Sequence, residues 1–274
     1  MNTVPEHHLC KNCGNSFEGL FCNLCGEKVL GPEDRSFRTF LGSIFRALTL
    51  ADSKFVKTLW LILRKPGYLS REFTEGRRVN YLKPLSMFFV LNLIYFLFPL
   101  IQLFNASLRT QINSFHGRLA VQTVANKMTA LQFHDVNSFS IVYDQKTTGF
   151  AKMLVILFAV LASLPLNLIY RSRQRYFTDH VGLAVELVCF NLFINALLLT
   201  LLVNLLQLGS YLDETVLTWI FIVTNLYFLL RSGWNFYEER GIKLIFKSLL
   251  MIIVLKLALE GYRAILFYVT MWSL

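Results

Sequence analysis

Residues 85–104 read LSMFFVLNLIYFLFPLIQLF, a run without a single charged side chain. Roughly 20 helical residues, at about 1.5 Å each, cross a hydrocarbon core of about 30 Å, so this stretch predicts a membrane span. Four further stretches, near 150–170, 182–206, 214–230 and 244–270, carry the same signal or nearly so. The 214–230 stretch is the shortest, yet Trp219, Tyr227 and Trp234 supply aromatic anchors where membrane interfaces are expected. Backbone groups in lipid find no water, and a bundle of about five helices satisfies them all within the chain. The expected fold class is therefore an all-α integral membrane protein.

Composition agrees. The chain has 274 residues, 55% hydrophobic and 16% charged, against about 25% charge in ordinary soluble domains. A single soluble domain is excluded on that ground. The first 30 residues contain charges, glycines and four cysteines but no apolar run of signal-peptide type, so the N-terminus is expected to be retained.

The net charge of +10 is unevenly placed. Thirteen Lys and Arg precede residue 85, three lie in 171–181 and three in 231–243. The 105–149 connection holds four, the 207–213 connection none, and no Lys or Arg follows Arg263. Cytoplasmic connections carry the excess of positive charge, which predicts a cytoplasmic N-terminus and an outside C-terminus.

Four cysteines form the sharpest chemical signal. Cys10-Lys-Asn-Cys13 and Cys22-Asn-Leu-Cys25 make two CxxC pairs, and Gly14 and Gly26 follow the second cysteine of each. Thiolates at these spacings can close a tetrahedron around zinc, with glycine supplying the turn. So short a segment has no apolar core of its own, and ligation would supply its folding free energy. A reducing cytoplasm argues against two disulfides, whereas iron in a four-sulfur site is an alternative that spacing leaves open. Such a shell has no free coordination position, so the expected metal is structural. His7 and His8 are read as a solvated tail, and Cys189 as an apolar residue of the third span.

Three regions follow: a zinc-ribbon knuckle over 1–30, basic amphipathic juxtamembrane helices over 31–84, and a transmembrane bundle over 85–274. In the middle region Phe37, Phe40, Leu41, Ile44, Phe45 and Leu48 recur at helical spacing near Arg35, Arg38 and Arg46. A second helix is expected after Asp52, with Phe55, Val56, Leu59, Trp60 and Leu63 on one side, ending before Pro66-Gly67. Both helices are expected to lie along the inner interface. The outer connection 105–149 is expected to hold an amphipathic helix through Leu108, Ile112, Phe115 and Leu119 and to cap the outer face.

The motifs Arg64-Lys65-Pro66-Gly67, Arg71-Glu72-Phe73, Glu75-Gly76-Arg77-Arg78 and Tyr81-Leu82-Lys83-Pro84 lie behind the cysteine pairs. In this combination the chain resembles an uncharacterised bacterial membrane family of the Bacteroidota type, catalogued as a domain of unknown function. Tyr176-Phe177-Thr178-Asp179-His180 is a weaker echo of it. The resemblance implies a multi-pass protein of the bacterial inner membrane and brings no activity with it.

Residues 64–84 hold six cations and two anions, a juxtamembrane cluster that attracts anionic lipid headgroups at about 1 kcal/mol per basic residue. Arg71, Arg77, Arg78 and Lys83 are the candidates for lipid or phosphate contact.

Polar residues inside spans are costly and need partners. On the last span Lys256, Glu260 and Arg263 share a face, and Lys256 with Glu260 predicts an i,i+4 pair. On the third span His180, Asn191 and Asn195 share one face and Glu186 lies opposite. Hydrogen bonds between helices are expected for the asparagines, and an ion pair with Lys247 for Glu186. Asp179-His180 is read as a structural pair.

Three functions compete. The first is a non-enzymatic adaptor, regulator or assembly factor binding a protein partner through the knuckle. The second is a small-solute or ion transporter using polar residues of the third and fifth spans. The third, a membrane-embedded enzyme around Asp179, His180 and Glu186, has no nucleophile motif behind it. A homo-oligomer is a further expected partnership. Nucleic acid is not, because residues 1–30 carry two Lys and no Arg.

Overall fold

The computed structural model describes residues 7–10, 13–25, 53–77, 80–98, 104–114, 117–171, 175–207 and 214–274. The chain falls into two compact units, Met1–Val56 and Lys57–Leu274. The amphipathic stretch from Phe37 to Leu48 and the cation Arg78 lie outside the described residues.

In the first unit, β1 (His7–Leu9) pairs antiparallel with β2 (Ser16–Glu18), placing His8 opposite Phe17 and His7 opposite Glu18. The expected solvated tail is thus a strand. His7 Nε2 lies 3.0 Å from Glu18 Oε1, which ties that edge down. The buried apolar cluster consists of Cys10, Phe17 and Cys22, too little apolar area to hold a fold by itself.

The second unit is helical. From Lys57 onward the chain continues α1 (Ser53–Arg64), then α2 (Tyr68–Thr74), α3 (Pro84–Leu97), α4 (Leu108–Ile112), α5 (Gly117–Ala130) and α6 (Val136–Ile169). A long third-span helix follows as α7 (Phe177–Asn191), a π-helical stretch Leu192–Leu198, and α8 (Leu199–Leu205). Last come α9 (Glu214–Asn235) and α10 (Ile242–Ser273). α6 packs along both α7 and α10, and α9 packs on α10. An aromatic hub of Tyr95, Phe104, Phe158 and Tyr262 sits among them, with ring centroids 5.5 Å apart for Phe104–Phe158 and 6.3 Å for Phe104–Tyr262. Buried aromatic pairs in such arrangements add packing energy beyond their area.

Three helices among the described residues are long and apolar enough to cross a membrane: Val136–Ile169, Phe177–Leu205 and Thr215–Asn235. α10, at 32 residues, is long enough, but Lys243, Lys247, Lys256, Glu260 and Arg263 keep it out of that class.

Two boundaries differ from expectation. The 85–104 stretch forms only the 14-residue α3, about 21 Å long, because Phe98 turns extended next to Pro99. Residues 99–103 lie outside the described residues. The connection 105–149 is shorter than expected, since α6 begins at Val136 rather than near 150. Asp135 caps it, accepting the Ser138 N–H at 3.1 Å. Its polar first turns remain helical because Phe139 and Tyr143 bury against Leu108, Val124, Phe267 and Met271.

Candidate functional site

The knuckle brings its four sulfurs together. Their Sγ atoms all lie within 4.8 Å of one another, with Cys10–Cys25 at 3.5 Å and Cys13–Cys22 at 3.7 Å. A tetrahedral ion with about 2.3 Å metal–sulfur bonds spaces its ligands about 3.8 Å apart, so the geometry fits such an ion. The turn that makes this possible is local: Gly14 N–H donates to Cys10 O at 2.9 Å, and Gly14 adopts φ 72°, open to glycine without strain. Asn15 Nδ2 approaches Cys22 Sγ at 3.9 Å and supports it from behind. The backbone N–H of Cys25, with that of Leu24, lowers the Cys22 thiol to about 6. Cys10, Cys13, Cys22 and Cys25 would hold the ion as a closed structural shell. Around this centre Leu9, Leu20, Phe21 and Leu24 remain between 58% and 73% exposed.

In the second unit, the turn after α1 is gripped from two sides. Pro66 ends the helix, and Gly67 follows with φ 80°. A methyl group on Gly67 would meet Ser232 Cα at 2.7 Å, so the glycine allows a close approach to α9. Asn235 Nδ2 donates to Pro66 O at 2.9 Å, and Tyr227 OH to Leu63 O at 2.9 Å. From α7, the fully buried Glu186 accepts the Gly67 N–H at 2.7 Å, the Ser70 N–H at 3.0 Å and the Ser70 hydroxyl at 2.5 Å. The carboxylate therefore caps the first turn of α2. This corrects the expected Glu186–Lys247 pair. Lys247 Nζ instead meets Glu239 Oε1 at 2.5 Å, beside the Tyr170 ring. A carboxylate surrounded by free backbone donors has its charge answered without a cation.

Arg71 and Arg77 are engaged by acids. Arg71 Nε contacts Glu75 Oε1 at 2.7 Å and its Nη2 contacts Glu238 Oε1 at 3.0 Å. Arg77 donates to both oxygens of the buried Glu72, with Nε 3.0 Å from each, and also pairs with Glu75. These hydrogen bonds hold the Glu72 carboxyl below its ordinary value against the opposing effect of burial. Lys83 is exposed beside the first turn of α3.

Asp179, His180, Asn191 and Asn195 of the third span are each hydrogen-bonded. Asp179 accepts the Tyr176 N–H at 3.0 Å and caps α7, while His180 Nδ1 lies 2.7 Å from Tyr237 OH. With Glu186 committed to α2, the three residues of the enzyme reading serve three different tasks. Asn191 and Asn225 exchange amide hydrogen bonds at 2.9 and 3.0 Å, joining α7 to α9. Asn195 donates to Asn191 Oδ1 at 2.9 Å and to Thr224 Oγ1 at 3.0 Å. On α10, Glu260 Oε1 lies 3.3 Å from both Lys256 Nζ and Arg263 Nη1.

A cavity of about 680 Å³ lies in the half of the bundle away from the Pro66–Gly67 turn. Asn195, Lys256 and Arg263 line it, so three of the intramembrane polar residues picked from sequence converge. Asn105, Asp144 and Thr148 line it too and were missed, because they fall in the stretch read as an outer connection. Asn225, Thr224 and Tyr237 were also missed; a polar residue inside the 214–230 stretch was the available signal for the first two.

Helices of membrane-crossing length, together with a four-cysteine cluster that could hold a metal ion, are the marks of a helical membrane protein with a candidate metal site in its N-terminal unit. Residues 52–96 match a family described as a protein of unknown function, DUF3667. That match spans the Pro66–Gly67 turn, the Arg–Glu cluster and most of α3. No curated protein and no solved structure matches the chain.

Proposed function

We propose that the chain is a membrane-anchored adaptor, regulator or assembly factor whose metal-closed knuckle docks a protein partner. One observation carries this reading: four sulfurs spaced for one tetrahedral ion belong to a small unit whose Leu9, Leu20, Phe21 and Leu24, next to the cysteines in sequence, are exposed. Several large apolar side chains left exposed on so small a unit support a contact surface. Zinc is the proposed ion, structural in role. The excess of Lys and Arg before residue 85 supports a knuckle on the cytoplasmic face of the bacterial inner membrane, with Arg71, Arg77 and Lys83 at the level of anionic headgroups.

Capture from mild detergent tests the adaptor reading. A stoichiometric partner should copurify with the intact chain, leave on chelation and return with zinc. Serine at Leu20 and Phe21 should abolish capture while metal content stays unchanged. Capture that survives chelation contradicts the proposal.

The cavity favours a second reading, in which the bundle binds or moves a small solute. Lys256→Met would then abolish uptake by proteoliposomes while preserving assembly; unchanged uptake by the variant removes this reading.

A further inference from the structure

Neutral groups join the end of α1 to α9. Tyr227 OH donates to Leu63 O at 2.9 Å and to Arg64 O at 3.3 Å, and Asn235 Nδ2 donates to Pro66 O at 2.9 Å. Arg231 lies one helical turn after Tyr227 and one before Asn235, so it shares their face of α9 and stands level with Arg64 and Lys65. The last carbonyls of α1 are thus satisfied by a hydroxyl and an amide, and the cations beside them are not needed as caps. Arg64, Lys65 and Arg231 are all exposed. Arg64 lies 5.9 Å from the centroid of the Trp60 ring, and Trp60 itself is 58% exposed.

The acids of this end of the bundle are engaged elsewhere. Glu72 and Glu75 pair with Arg77, Glu75 and Glu238 with Arg71, and Glu239 with Lys247. Glu186 accepts from the Gly67 turn, and Asp179 caps its own helix. Among the described residues, none forms an ion pair with Arg64, Lys65 or Arg231. Three like charges brought together by two helices repel one another, and an anion placed between them removes that cost. Arginine forks match phosphate oxygens, and exposed Trp and Tyr side chains suit the boundary between acyl chains and headgroups.

We propose that Arg64, Lys65 and Arg231 form a site for the phosphate of an anionic phospholipid, flanked by Trp60 and Tyr227. The assignment rests on the headgroup level proposed above for this end of the chain. It names different cations for the contact, because Arg71 and Arg77 already have their charges answered by Glu72, Glu75 and Glu238.

Fluorescence quenching in vesicles tests it on the full-length protein with Trp219→Phe, Trp234→Phe and Trp272→Phe, which leaves Trp60 as the reporter. The probes are phosphatidylglycerol and phosphatidylcholine, each brominated high on its acyl chains and added at the same mole fraction to unlabelled phosphatidylcholine. Brominated phosphatidylglycerol should associate about tenfold or more tightly than its zwitterionic counterpart. Arg64→Gln or Arg231→Gln alone should each lower that preference about fivefold, with an unchanged melting temperature as the control. Arg118→Gln, on a helix packed near the far end of α10, should leave it unchanged. Equal quenching by the two lipids would overturn the phosphate site while keeping Trp60 at headgroup level. Quenching by neither would remove the headgroup placement as well. A preference that survives both arginine substitutions would overturn the assignment to these residues. Loss of the preference on adding glycerol 3-phosphate, but not sodium chloride of equal ionic strength, would assign the site to a soluble phosphate and overturn the lipid.

Discussion

Oε1 of Glu186 accepts the backbone N–H of Gly67 at 2.7 Å across 119 residues of chain. A buried carboxylate in the third span thereby fixes the turn that leads from α1 into α2. Removing either side of the contact should loosen the same element. Glu186→Leu leaves buried donors on Gly67 and Ser70 without an acceptor and should cost about 2–5 kcal/mol. Glu186→Gln keeps an accepting oxygen and should cost less. Gly67→Ala forces a Cβ against Ser232 at a backbone angle that disfavours side chains, and should cost about 2 kcal/mol or more. Thermal unfolding in detergent, followed by circular dichroism, checks the order of the three.

Acid should weaken the cluster beside this turn. Glu72 is held below the ordinary glutamate value by hydrogen bonds from Arg77, and Glu75 likewise by Arg71. A carboxylate depressed in the folded state stabilises above its unfolded value, and that contribution fades as pH falls through the folded value. Stability should therefore decline below about pH 4.5, and Arg77→Met should flatten the decline. Melting temperature measured across pH 3 to 6 decides it. An unchanged slope in the variant would assign the acid sensitivity to other groups.

The reciprocal amide pair of Asn191 and Asn225 should behave as a unit. Leucine at either position orphans the other, whereas leucine at both removes the need for a partner. A double-mutant cycle should give a coupling of about 1 kcal/mol, the usual scale for hydrogen bonds between membrane helices. Purely additive effects would mean the pair contributes nothing beyond its two side chains.

Much of this architecture could be read from residue order. The CxxC spacing led directly to the sulfur cluster, and Pro66-Gly67 marked the end of α1 because both residues act on their own backbone. Lys256 and Glu260, one helical turn apart, meet for the same local reason. Glu186 was different. Its partners are main-chain donors on a distant turn, and no residue type announces a free N–H. Asn225 and Tyr237 likewise acquire their roles only when α9 packs against α7. Asp144 was hidden by treating polar residues before 150 as connection, although Phe139 and Tyr143 bury that part of α6. Pro99 was visible in the first stretch and should have shortened it. The cavity draws on several separated segments, so it exists only after folding.

Partner docking through a metal-closed head is best tested where contact would occur. A photo-crosslinking amino acid placed at Leu24 in cells, with metal content measured on the same purified protein, reports both halves together. One bound ion per chain and a discrete protein adduct at Leu24 are expected, both lost in the Cys13→Ser, Cys25→Ser variant while membrane insertion persists. The same adduct in that metal-free variant, or adducts to lipid alone in the intact chain, would contradict it.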